Sequence, residues 1–199
     1  MNAWRKRRAE VSARPRRHVQ RPLAVGAAAG TAAHHGFELV SGVGLVWQPE
    51  LGLPAAAALW TVQILGWGHL AARGSKRADP VLAALAGASL AGVAVHYILW
   101  PWKPGWGRLP VLTEADGLSP WQMPSYNVIL RLWALASAGS VFLEVSRGSR
   151  RWALVGGVCL PLFTVSARHH FAWVREQAVS NPSWWNRGIS LIERSEPSG

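Results

Sequence analysis

Cysteine and charge are both scarce in this sequence. Of its 199 residues, 16% are charged, whereas soluble domains usually carry about 25%. Cys159 is the single cysteine, which excludes an internal disulfide and a metal cage built from cysteines. The sequence also lacks a CxxC pair, an HExxH motif, a P-loop and a lysine deep within an apolar run. These absences argue against thiol redox chemistry, nucleotide hydrolysis and a Schiff base, and no motif in the chain defines a reaction.

Long apolar runs are present instead, and five of them are candidate helices: about 22–47, 51–72, 80–100, 124–145 and 151–173. A helix of roughly 20 apolar residues is long enough to cross about 30 Å of hydrocarbon. Helices of soluble bundles carry a polar stripe, whereas these runs are rich in Gly, Ala and Leu on all sides. The sequence therefore predicts an all-α, multi-pass membrane protein with five transmembrane helices in a membrane domain at 22–173.

The basic residues lie in blocks between these runs, at residues 5–21, 73–77 and 147–151. An excess of Lys and Arg marks cytoplasmic segments. This pattern predicts a cytoplasmic N-terminal segment (1–21), an extracytoplasmic C-terminal tail (174–199) and a location in the plasma membrane. The net charge of +11 is then a topology signal, and we expect no binding of nucleic acid. A cleavable signal would also begin with basic residues, but the apolar character continues to Trp47, so we expect the segment to be retained.

Tryptophan is abundant, with 13 residues, and most lie near predicted span ends. Indole rings prefer the boundary between headgroups and hydrocarbon. The longest predicted outer connection, residues 101–127, is rich in Pro and Gly, and we expect no regular element there. With the tail segment 181–188 it is predicted to form an aromatic cap over the outer helix ends, although a plain interfacial belt is the alternative. The predicted cap residues are Trp102, Trp106, Trp121, Trp184 and Trp185.

Polar residues recur on one face of the first run, where Thr31, His34, Glu38 and Ser41 are three or four positions apart. Ionised groups at this depth cost about 2.5–3.5 kcal/mol on insertion scales, so they normally face the protein interior and serve a function. We predict a polar pocket in the outer half of the bundle; the alternative is that these groups only join helices through hydrogen bonds. Further candidate substrate-binding residues from the other runs are Trp60, Gln63, Trp67, His96, Asn127, Arg168, His169 and His170.

Glu38, His34 and Arg131 are the candidate catalytic residues. Glu38 backed by His34 can donate or accept a proton. Glu38 and Arg131 are predicted to lie roughly 10–14 Å below the outer boundary, counted at 1.5 Å per residue, and to form an ion pair. The interpretation is a pocket that binds, or also chemically transforms, a lipophilic molecule with a polar end, such as an isoprenoid, a quinone or a lipid-linked intermediate. No metal or cofactor is expected.

Two alternatives remain open from the sequence. His96 with His169 or His170 would be placed to ligate a b-type haem from two helices. The protein would otherwise be an accessory subunit of a membrane complex, or a homodimer. Small residues at 26–30, and the glycines at 87, 92, 156 and 157, predict tight helix packing in the inner half or a helix–helix interface.

Overall fold

The computed structural model describes residues 21–189, and this part of the chain is helical over most of its length. The helices are α1 (Pro22–Ser41), α2 (Gln48–Leu51), α3 (Leu53–Arg73), α4 (Asp79–Leu99), α5 (Met123–Gly139), α6 (Trp152–Gly157) and α7 (Leu160–Ser180). The all-α prediction is confirmed. Apart from Arg21, the predicted N-terminal segment lies outside the described residues, as does the tail beyond 189.

The long helices form an antiparallel bundle in which α1 packs between α3 and α5, and α4 packs on α5, α6 and α7. Contacts at one end join the start of α1 to the two basic connections. Arg21 binds both the Ser75 carbonyl and the Asp79 carboxylate, and the backbone N–H of Ser146 donates to the other oxygen of Asp79. The two basic connections and the start of α1 are therefore gathered at one end of the bundle.

Two helices in the described part of the chain are long and apolar enough to cross a membrane, at Lys76–Leu99 and Met123–Glu144. The second of these joins α5 to a π-helical turn at Ser140–Glu144. Taken alone, two such helices are weak grounds for a membrane protein, because a buried core helix of a soluble protein has the same length and composition. The five-span topology therefore stays a prediction.

The first and fifth predicted spans differ from the helices observed. Helix α1 stops at Ser41, short of residue 47, because Gly42 has a φ of 83° and closes the helix in the left-handed conformation. The fifth span is split at Val158–Cys159 into α6 and α7. Pro161 lies in the first turn of α7, and a proline in mid-helix removes a hydrogen bond and clashes with the carbonyl four residues earlier.

The connection at 101–127 was expected to lack regular structure, and this expectation was wrong. Trp102–Pro104 and Pro110–Leu112 form a two-stranded antiparallel hairpin, with Trp102 opposite Leu112. Proline is tolerated because both strands are three residues long and have no other strand beside them within the described residues. The hairpin lies against α5, where the side chain of Asn127 bonds both the N–H and the carbonyl of Leu112.

Small residues allow close helix packing at the basic end of the bundle, as predicted. Ala24, Ala27 and Ala83 are fully buried there in a cluster with Trp67. Where α4 meets α6, a Cβ at Gly87 would collide with the carbonyl of Ala153. The glycines thus bring the two backbones into contact.

Candidate functional site

A buried polar cluster lies between α1, α4 and α5. Glu38 is 6% exposed, and its Oε1 accepts a hydrogen bond of 2.7 Å from the hydroxyl of Tyr126. Three imidazoles surround the same carboxylate. Nε2 of His34 is 3.4 Å from Oε2 and Nδ1 of His35 is 3.8 Å from it, while Nε2 of His96 is 3.9 Å from Oε1. The cluster thus places four polar side chains around one carboxylate, all of them buried.

Helical spacing accounts for this arrangement. His34 and His35 are four and three positions before Glu38, so all three project from one side of α1. The face of α5 that meets them carries Tyr126 and, seven residues later, Trp133. The ring of Trp133 stacks on His34 with centroids 4.9 Å apart.

Two glycines make room for the Trp133 ring. A Cβ at Gly30 would lie 2.8 Å from Cδ1 of this ring, and one at Gly92 would lie 3.1 Å from its far edge. Glycine on α1 and on α4 therefore allows a large aromatic side chain to fit beside His34.

A cavity of about 110 Å³ adjoins the cluster, lined by α1, α3, α4 and α7 together with Trp133 of α5. Its polar end consists of the cluster residues His34, His35, Glu38 and His96. Most of its remaining wall is aromatic or aliphatic, including Trp47, Trp60, Trp67, Trp133, Phe163 and Phe171. Trp60 packs on His35, with ring centroids 3.8 Å apart, and stacks on Trp47 at 5.0 Å. The site is therefore a largely apolar chamber with charge and hydrogen-bonding capacity at one end, which is the usual design of a small-molecule site.

Several buried polar atoms around the chamber lack a hydrogen-bond partner among the described residues. They are Nδ1 of His34, Nδ1 of His35, Nε1 of Trp67 and Nε1 of Trp133. Buried polar groups in folded proteins are nearly always paired, with water or a ligand where protein atoms do not serve. The unpaired nitrogens indicate room for an occupant with polar atoms.

Some of the predicted site residues do come together. His34, Glu38 and His96 belong to the cluster, and Trp60, Gln63 and Trp67 line the cavity beside it. Thr31 lies at the same wall, but its hydroxyl is bonded to the Ala27 carbonyl of its own helix.

Arg131 is not the partner of Glu38. Its guanidinium reaches the Pro110 carbonyl at 3.4 Å, on the hairpin side of α5. The physical reason is angular, because Arg131 follows Tyr126 by five residues and is rotated about 140° around the helix from it. Asn127 shares the face of Arg131, as predicted, but that face binds the hairpin.

The remaining candidates lie elsewhere. Nε2 of His170 is bonded to the Val43 carbonyl at 3.0 Å, so this histidine joins α7 to the segment after α1. His169 is 58% exposed and lies 3.5 Å from Glu50. Arg168 is exposed too and borders a separate surface depression with Asp116 and Arg175. Neither His169 nor His170 faces His96 across a space for a porphyrin, so the haem alternative has no support.

The predicted cap is present in part, as tail residues that pack on the end of α1. The N–H of Gly188 donates to the Gly42 carbonyl at 3.1 Å, so the tail covers the end of α1. Trp102, Trp121 and Trp184 are 51%, 79% and 55% exposed and do not line the cavity.

Two members of the cluster were missed from the sequence. His35 adjoins His34, and the three-residue spacing to Glu38 was a usable signal. Tyr126 gave no signal, because a tyrosine near a predicted span end is typical of an interfacial anchor.

His34, His35 and Glu38 can also hold a metal ion, since each offers one ligand atom and these atoms lie within 4.8 Å of one another.

No family model, curated protein or solved structure matches the chain. The chemistry of the site therefore has to be inferred from its own geometry.

Proposed function

We propose that the protein spans the plasma membrane five times and binds a lipophilic molecule with a polar end in the chamber beside Glu38. The apolar tail of the ligand would occupy the space between α1, α3 and α7, and the polar end would contact the cluster. Isoprenoids, quinones and lipid-linked intermediates have this form. The observation that carries the proposal is the cavity itself, with aromatic walls and one polar end.

The outer surface of the bundle supports a membrane location. Large aliphatic side chains are exposed on the helices, for example Val62 at 69%, Leu65 at 67%, Leu135 at 63%, Leu154 at 75% and Val165 at 65%. Large contiguous apolar patches are uncommon on soluble monomers, and exposed aliphatic side chains recur on each of these helices. An apolar outer surface is suited to contact with the hydrocarbon of a bilayer. The basic end of the bundle would then face the cytoplasm.

The proposal is tested by filling the cavity. Ser166 lines it, whereas the neighbouring Val165 faces outwards. Protein purified in mild detergent is extracted with organic solvent, and bound lipids are identified by mass spectrometry. We expect the wild type and Val165→Phe to retain a lipid in stoichiometric amount, and Ser166→Phe to lose it. Equal retention by Ser166→Phe, with folding intact by circular dichroism, would contradict the proposal.

A second candidate, an accessory subunit or homodimer, is favoured by one further observation. In the middle of α1 the exposed residues are small, at Ala29, Ala32, Ala33 and Gly36. Faces of this kind allow another helix to approach closely in a membrane. Cysteine introduced at Ala33 in a Cys159→Ala background should cross-link in membranes if a second copy packs here, and no cross-link at moderate oxidation would argue against the homodimer.

A further inference from the structure

We infer that the polar end of the chamber is a binding site for a divalent transition-metal ion, with His34, His35 and Glu38 as ligands and His96 as the fourth. The site itself does not depend on what fills the apolar part of the chamber. One part of the inference rests on the proposed function: that the side of the ion facing the chamber binds the polar end of a lipophilic ligand.

The distances fit a single ion. Zinc binds nitrogen at about 2.0–2.1 Å and carboxylate oxygen at about 2.0–2.2 Å, so neighbouring ligand atoms of a tetrahedral site are roughly 3.3 Å apart. The two histidine nitrogens nearest to Oε2 of Glu38 lie 3.4 Å and 3.8 Å from it. The three ligand atoms all lie within 4.8 Å of one another, so the most distant pair would move closer by up to about 1.5 Å when an ion binds.

The second layer of contacts also fits a metal site. Nδ1 of His96 is 2.7 Å from the Gly92 carbonyl, which can only accept, so this nitrogen carries a proton, and in the neutral imidazole the lone pair lies on Nε2, towards Glu38. Histidine ligands are commonly oriented by such a bond to a carbonyl. Glu38 is held by Tyr126 in the same way that ligating carboxylates are held by a hydrogen-bond donor.

The donor set indicates which ions are suitable. Imidazole nitrogen with one carboxylate suits Zn²⁺, Fe²⁺ or Co²⁺ better than Mg²⁺ or Ca²⁺, which prefer oxygen ligands. These ligands also line the cavity, so one side of the ion would face the chamber and could take an oxygen from the polar end of a bound molecule.

Cobalt provides a direct test, because its visible spectrum reports coordination. The full chain is purified with a tag that contains no histidine, stripped with a chelator and titrated with CoCl₂ in detergent. We expect about one equivalent to bind with tetrahedral or five-coordinate bands that Zn²⁺ abolishes. Glu38→Gln and His34→Gln should each weaken binding by more than 100-fold. Tyr126→Phe should weaken it by roughly 10- to 100-fold, as is usual for residues that position a ligand.

His169→Gln is the matched control, because this histidine is exposed and lies outside the cluster; its affinity should equal that of the wild type. If the ligand variants fail to fold, X-ray absorption of the cobalt-loaded wild type identifies the ligands instead. Scattering from imidazole rings is expected. Scattering from sulfur would mean that Cys159 binds the ion and would contradict the site. Absence of stoichiometric binding by folded wild type would overturn the inference. Ser166→Phe should keep the metal while losing lipid, so failure of the metal site is distinguishable from failure of the proposed function.

Discussion

The hydrogen bond between Tyr126 and Glu38 should be measurable as a coupling free energy. Both partners are buried, at 1% and 6% exposure, and the two oxygens are 2.7 Å apart. Hydrogen bonds to a charged group contribute about 1.5–3 kcal/mol in soluble proteins. Measured side-chain couplings in a membrane protein average about 0.6 and reach about 1.7 kcal/mol. For a short bond to a carboxylate we expect a coupling of about 1–2 kcal/mol, which is roughly a 5- to 30-fold change in the unfolding equilibrium.

The assay is a double-mutant cycle with Tyr126→Phe and Glu38→Gln. Unfolding of chelator-treated protein is followed by circular dichroism in mixed detergent micelles. The double mutant should lose less stability than the two single losses added together. Arg131→Gln combined with Glu38→Gln is the control, since Arg131 lies on the same helix but binds the Pro110 carbonyl, and this pair should be additive within about 0.5 kcal/mol. Additivity of the Tyr126 pair, or strong coupling of Arg131 to Glu38, would refute the geometry of the cluster.

Three other outcomes are expected. An enzymatic reporter fused after the last residue should be active outside the cell, and one inserted at 74–78 should be active in the cytoplasm; the reverse at either place would contradict the five-span topology. Gly156→Ala should destabilise the protein by roughly 1–3 kcal/mol, because its Cβ would meet the backbone of α4, whereas Gly157→Ala, with open space at its Cβ, should be neutral or slightly stabilising in thermal unfolding. Asp79→Ala should cost about 3–5 kcal/mol by the same measurement, because Arg21 would stay buried without its carboxylate, and a smaller cost for Asp79→Ala than for Gly156→Ala would contradict this.

The helices were predictable because apolar runs and their lengths are explicit in the sequence. The ends of the helices were less predictable, because each end depends on a few local residues. The predicted first run extends to Trp47, but Gly42 ends α1 at Ser41, six residues earlier. Pro161 divides the fifth run into two helices. The hairpin could not be inferred from composition, since Pro and Gly are equally typical of irregular loops, and its packing on α5 joins Leu112 to Asn127, 15 residues later.

The part of the site that lies on a single helix was predictable, because spacing along a helix determines which residues share a face. The spacing of His34 and Glu38 on α1 correctly placed them together, and depth along the chain correctly placed His96 near them. The pairing with Arg131 rested on equal depth alone, without the angle around α5. That angle turns Tyr126 towards Glu38 and Arg131 towards the hairpin.

The two ends of the bundle hold carboxylates that are paired in different ways. At the basic end, both oxygens of Glu144 accept backbone N–H groups at the start of α1, at 2.7 and 2.8 Å, and such a bond places negative charge at the positive end of a helix dipole. That carboxylate is fully used by the fold. In the cluster, Oε1 of Glu38 is bonded to Tyr126, but Oε2 has only imidazole nitrogens at 3.4 Å and beyond, which is longer than a normal hydrogen bond. A carboxylate kept only to join helices would be paired as Glu144 is. The incomplete pairing of Glu38, beside the unpaired Nδ1 of His35 and next to a cavity, is what an ion or a polar ligand would complete.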